Sequence, residues 1–83
     1  MRQIVEALTK LQGENVDIYT DHKLFGKQHM QMKFKPETEI GIGFHYKEQI
    51  IYIDNDDIVD YYIENNKIII NGQVMHISIT KVV

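Results

Sequence analysis

The chain has no cysteine, which excludes disulfide frameworks, thiolate zinc sites and thiol nucleophiles and fits an intracellular protein. Proline is almost as scarce. Pro36 is the only one, and it reads as the end of a strand ladder because proline has no N–H to donate. No apolar run approaches the roughly 18–20 residues of a membrane-spanning helix, and the first residues lack the apolar stretch of a signal peptide, so a soluble, cytoplasmic protein is expected. Nor is there an excess of positive charge: the net charge of −3 leaves no overall basic footprint for nucleic acid. Low-complexity segments, linkers and internal repeats are missing, so residues 1–83 are read as a single domain. The sequence also lacks a nucleophile elbow, a phosphate loop and any Cys/His constellation, so neither an enzyme nor a cofactor is expected.

What the chain does have is segregated charge and regular alternation. A quarter of its residues are charged and 43% are hydrophobic, the composition of a globular domain near the size at which one core barely suffices. From His22 to Lys35 there are four lysines and no acid, whereas from Glu48 to Asn66 there are six acids and no lysine or arginine. The folded molecule is therefore expected to be dipolar.

The last third of the chain carries the clearest pattern. Asn71-Gly72 is a strong two-residue hairpin signal, because a type I′ turn needs φ > 0 at both central residues. It predicts pairing of Ile70 with Gln73, Ile69 with Val74 and Ile68 with Met75. A second turn at Asn65-Asn66 predicts pairing of Ile63 with Ile68, Tyr62 with Ile69 and Tyr61 with Ile70. The two registers, set independently, place Val59, Tyr61, Ile63, Ile68, Ile70, Met75, Ile77 and Ile79 on one face, which is the expected core face. The reverse face holds Asp60, Lys67, His76 and Ser78, and also Tyr62, Ile69 and Val74 in one cross-strand row. Either an element of the same chain covers that row or it is an interface with a subunit or a protein partner.

Upstream, Ile4, Val5, Leu8 and Leu11 form the stripe of an amphipathic helix over Arg2 to Gln12, with Gly13 as its C′ residue. Asn15 to Thr20 alternates as a first strand, Asp21-His22-Lys23 is the expected turn, and Leu24 to Lys35 is a long second strand with Leu24, Met30, Met32 and Phe34 on its apolar side. Glu39 to Tyr46 resumes the alternation, with Ile40, Ile42, Phe44 and Tyr46 inward. Parity favours Pro36-Glu37-Thr38 as the connection, which pairs Lys33 with Gly41, Gln31 with Gly43, His29 with His45 and Lys27 with Lys47. Ile50 to Ile53 is a short strand apolar on both sides, so its register stays open.

Three candidate sites follow. Lys27, His29, Lys33, Lys35, His45 and Lys47 form a basic outer face beside Gly41 and Gly43, where an anion or a phosphate backbone can approach closely; an ordinary solvated face has the same composition. His29 opposite His45 pairs two imidazoles, but no third ligand stands at a fixed spacing, so no metal site is expected. Asp54-Asn55-Asp56-Asp57 with Asp60 has the acidic density of a calcium loop without its sixth-position Gly or terminal Glu, and reads as a charged turn.

The run Val16-Asp17-Ile18-Tyr19-Thr20-Asp21-His22-Lys23-Leu24-Phe25-Gly26 after an N-terminal helix resembles the first motif of Sm-like proteins, and Ile68 to Ile77 is similar to their second. The resemblance implies a small bent barrel, a ring-shaped homo-oligomer and binding of single-stranded RNA. His22-Lys23 departs from the usual Asp-Gly turn, and Asn71 stands where Arg or Lys is common. The expected fold is α+β: an N-terminal helix on a bent antiparallel sheet or small SH3-like barrel of six to seven strands. The expected function is a non-enzymatic module that self-associates or binds a protein partner through Tyr62, Ile69 and Val74 or the Ile50–Ile53 strand. The alternative is an Sm-like nucleic-acid binder using the lysine-rich face.

Overall fold

The computed structural model describes residues 2–82. The apolar stripe forms α1 (Arg2–Lys10), with Ile4 and Leu8 fully buried. The α-helix stops two residues before Gln12, because the amides of Leu11 and Gln12 bond three residues back, to Leu8 and Thr9. Gly13 then takes φ +83, a conformation only glycine adopts without strain, and its N–H donates to the carbonyl of Phe34 at 2.9 Å.

Alternation continues into β1 (Asn15–His22) and β2 (Gly26–Lys33), followed by β3 (Pro36–Glu37), β4 (Ile42–Tyr46), β5 (Gln49–Ile53), β6 (Ile58–Glu64), β7 (Lys67–Gly72) and β8 (Met75–Lys81). All pairings among them are antiparallel, and they form a five-stranded sheet in the order β2-β1-β8-β7-β6 and a three-stranded sheet in the order β3-β4-β5. The helix on an antiparallel sheet is as expected. The described strands number eight instead of six or seven, and they lie in two sheets without closing into a barrel.

The larger sheet has two unlike faces. Its inner face carries Val16, Ile18, Met30, Ile68, Ile70, Ile77 and Ile79, which join Ile4, Leu8 and Leu11 of the helix segment, Phe34 of the β2–β3 connection, and Ile42, Phe44 and Ile53 of the smaller sheet in one core. The chain leaves one edge of the large sheet at β2, builds the small sheet over the inner face, and returns at the opposite edge as β6. Among the described residues, no helix or strand lies over the outer face of the large sheet, and Tyr19 and Tyr62 are exposed there.

The Asn65-Asn66 hairpin has the expected register, Ile63 to Ile68 and Tyr61 to Ile70. The Asn71-Gly72 turn does not form. Ile70 pairs with Ile77 and Ile69 with Ser78, four residues further along β8 than expected. Gly72 lies in the strand with no positive φ, and a Cβ there would stand 2.9 Å from Ile53 Cγ2, so it is glycine to admit Ile53. β8 is drawn out because it pairs along β1 from Val16–Lys81 to His22–Met75. An even slip preserves parity, so Ile68, Ile70, Ile77 and Ile79 still share the buried face. Val59 and Ile63 do not join them: Val59 sits at a bulge between Ile58 and Asp60, and both are exposed on the edge strand.

The Pro36-Glu37-Thr38 connection is also displaced. Pro36 pairs with Phe44 and Glu37 with Gly43, and the turn lies beyond them at residues 38–41, which leaves Ile40 exposed. β2 pairs with β1, while β4 lies between β3 and β5 in the other sheet, and Pro36 is tolerated because β3 is an edge strand. Glu37, almost fully buried, holds this turn: its carboxylate accepts the N–H groups of Glu39 at 3.0 Å and Ile40 at 2.9 Å and meets His45 Nε2 at 2.9 Å.

Candidate interaction groove

The β1–β2 connection is Lys23-Leu24-Phe25, two residues later than the expected Asp21-His22-Lys23 turn. Gly26 closes it at φ +81, the left-handed position of a three-residue hairpin loop. His22 Nδ1 accepts the N–H groups of Leu24 at 3.0 Å and Phe25 at 3.3 Å, so the neutral ring carries its proton on Nε2. The imidazole packs against the Phe25 ring at 4.6 Å between centroids. This local bonding holds two large apolar side chains outward: Leu24 is 80% and Phe25 77% exposed. Leu24, expected on the apolar side of a strand, is thus at a turn tip.

Two backbone bonds bring three loops together at this end. Lys23 N–H donates to the Val74 carbonyl at 2.9 Å, and Gln73 N–H donates to the Asp57 carbonyl at 2.9 Å. β5 lies alongside. The resulting hollow, 320 Å³, is lined by His22, Phe25, Ile50, Ile51, Tyr52 and Met75 among others. A second hollow of 210 Å³ shares His22, Tyr52 and Met75 with it and runs on to Val74, Asp54 and Asp57. The groove thus has an apolar floor and one acidic end. Among the described residues, Asp54, Asp56 and Asp57 form no ion pair.

Tyr52 owes its place to two glycines. Gly43 pairs with Tyr52, and a Cβ on Gly43 would run into the carbonyl oxygen of Ile51 and the Cα of Tyr52. At Gly41 a Cβ would lie 2.5 Å from Tyr52 Cδ2 and 2.7 Å from the Ile53 oxygen. The space beside Gly41 and Gly43 is therefore filled by β5, which leaves none for an anion.

The residues expected to form sites are redistributed. Tyr62 and Ile69 are paired on the outer face, in a row that continues through Ser78 and Tyr19 to His29. Val74 is not in that row, because Ile69 faces Ser78; it stands instead at the groove, with Ile53 and Tyr52 of the β5 strand. Lys27, His29 and Lys33 share the outer face of β2, where Lys27 pairs with Asp21 and His29 Nε2 lies 3.2 Å from Asp17 Oδ1. The rings of Tyr19 and His29 stack at 4.2 Å with an interplanar angle of 1°. Lys35 lies in the bend before β3, His45 is bonded to Glu37, and Lys47 sits in the β4–β5 turn with its Nζ 5.3 Å from the Tyr46 ring centroid. His29 and His45 are in different sheets, opposite Tyr19 and Ile50, so the imagined imidazole pair does not exist. Asp54 to Asp57 form a 3-10 turn and its entry, and no group of three or more His, Cys, Asp or Glu side chains among the described residues is disposed to hold a metal.

The outward position of Leu24 and Phe25 was not expected from the sequence. The signal was present: Gly26, three residues beyond Lys23, fits the left-handed position of a three-residue loop better than a bulge inside a strand. Compared with protein families, with curated proteins and with solved structures, the chain shows no match.

Proposed function

We propose that the protein is a non-catalytic interaction module that holds an extended apolar segment of a protein partner in the groove between the β1–β2 turn and β5. The observation that carries this reading is the outward presentation of Phe25, with Leu24 exposed next to it in the turn, at a concave floor containing Ile50, Tyr52 and Met75. Large exposed apolar side chains clustered at a hollow are the usual composition of a docking site, with aromatic anchors at its centre. Among the described residues β5 pairs only with β4, so one row of its backbone groups is free to accept an added strand. Asp54 and Asp57, which form no ion pair among the described residues, favour a partner segment with a lysine or arginine at that end. The Glu37–His45 pair is occupied with holding the β3–β4 turn, and no catalytic role is proposed for it.

The test is selection of displayed random peptides on the immobilised protein, followed by titration of the enriched sequences. Enriched peptides should alternate apolar residues and carry a basic residue at one end, and Phe25→Ser should weaken them about tenfold while leaving the melting temperature unchanged. Absence of enrichment, or equal binding by Phe25→Ser, refutes the proposal.

A second reading, an Sm-like binder of single-stranded nucleic acid, is favoured by the stacked Tyr19–His29 pair lying between Lys27 and Lys33 on an open sheet face. Asp17, Asp21, Asp60 and Glu64 on the same face weigh against it. Binding of a short single-stranded RNA at low salt, lost on Lys27→Glu, would favour it over the groove.

A further inference from the structure

The two ends of the five-stranded sheet carry opposite charge. β2 and β6 are each paired on one side only, with β1 and β7 respectively. β2 contains Lys27, His29 and Lys33 and no acid; β6 contains Asp60 and Glu64 and no base. All five side chains belong to the outer face and are exposed, although Asp21 stands beside Lys27, Asp17 beside His29 and Lys67 beside Glu64. An edge strand of this length is a template for another strand, and charged residues on it decide which strand it accepts.

Three ways of joining two copies edge to edge leave the outer faces on one side. Pairing β2 with β2 about a two-fold axis through Met30 sets Lys27 against Lys33, and pairing β6 with β6 about Tyr62 sets Asp60 against Glu64. Both oppose like charges directly across strands, which is unfavourable. The third joins β2 of one copy to β6 of the next. Four antiparallel steps separate β2 from β6, so they run in the same direction and the joint is parallel. It lays the basic edge along the acidic one, with Met30 and Met32 beside Ile63 on the inner side.

We propose that copies of this chain associate head to tail, β2 of one against β6 of the next, extending the five-stranded sheet into a ring or filament. Such a joint is heterologous, so it leaves a free edge at each end until the assembly closes. It does not use the groove, and the two proposals stand or fall separately.

Sedimentation velocity of the whole chain at increasing concentration and at low and high salt tests the proposal. Mass should grow with concentration at low salt, and association should weaken about tenfold as salt screens the edges. Lys27→Glu/Lys33→Glu and Asp60→Lys/Glu64→Lys should each be monomeric alone, and an equimolar mixture of the two should reassemble; circular dichroism reports whether each is folded. Should either variant fail to fold, amide exchange on the wild type decides. Association should slow exchange at alternate residues of β2 and β6. A wild-type chain that stays monomeric throughout, a mixture that does not reassemble from folded variants, or slowed exchange confined to other strands overturns it.

Discussion

Gly43→Ala places one methyl group where the small sheet has no room for it. The added Cβ would meet the Ile51 carbonyl oxygen and the Tyr52 Cα, both backbone atoms of β5. Neither can rotate away as a side chain could, so β5 must move off β4 and carry Phe44 and Ile53 out of their core positions. Overpacking of this kind costs about 1–3 kcal/mol, from a total of about 4–12 kcal/mol for a domain of this size. A loss of about 2 kcal/mol lowers the melting temperature by roughly 8–16 °C in a chain this short. Gly13→Ala is the contrast: nothing lies within 4 Å of its Cβ, and the only penalty is φ +83, about 1 kcal/mol. Urea unfolding followed by circular dichroism, with an unchanged m-value, gives both numbers. A Gly43→Ala protein within about 0.5 kcal/mol of wild type would refute the close approach of β5 to β4 and with it the placement of Tyr52 at the groove.

Two further predictions concern the fold that supports the groove. Glu37 has its pKa lowered from 4.5, chiefly by the Ile40 N–H, with the Glu39 N–H and His45 adding to this and burial opposing it. A carboxyl lowered in the folded state stabilises fully above its unfolded pKa and loses that contribution as pH falls through the lower folded value, so the stability gap between wild type and Glu37→Gln should be full at neutral pH and narrow as pH falls below 4.5. A gap in urea midpoint that stays constant as pH falls from about 7 to well below the ordinary carboxyl range would refute this. Leu8→Ala removes a fully buried side chain from the helix–sheet contact and should cost about 2–5 kcal/mol in the same assay, whereas a change under 1 kcal/mol would place α1 outside the core.

The sequence by itself determined most of the interior, although Leu24, Ile40, Val59 and Ile63, expected inside, are exposed. Alternation in the strands and the stripe of α1 assign Ile4, Leu8, Val16, Ile18, Phe44, Ile68, Ile70, Ile77 and Ile79 to the core, and those assignments survive because side-chain direction depends only on local backbone period. The Asn65-Asn66 register was legible for the same reason, since a tight turn fixes its own flanks. Tertiary structure decided which strand each apolar run would pair with. β8 took β1 along its whole length, opening the Asn71-Gly72 connection and sending Val74 to the groove; β2 took the other side of β1, separating His29 from His45. Those choices are made by the burial of entire faces, a sum over distant segments that no local pattern contains. The groove arises from them, because Phe25, Tyr52 and Val74 come to line it only after the sheet order is settled.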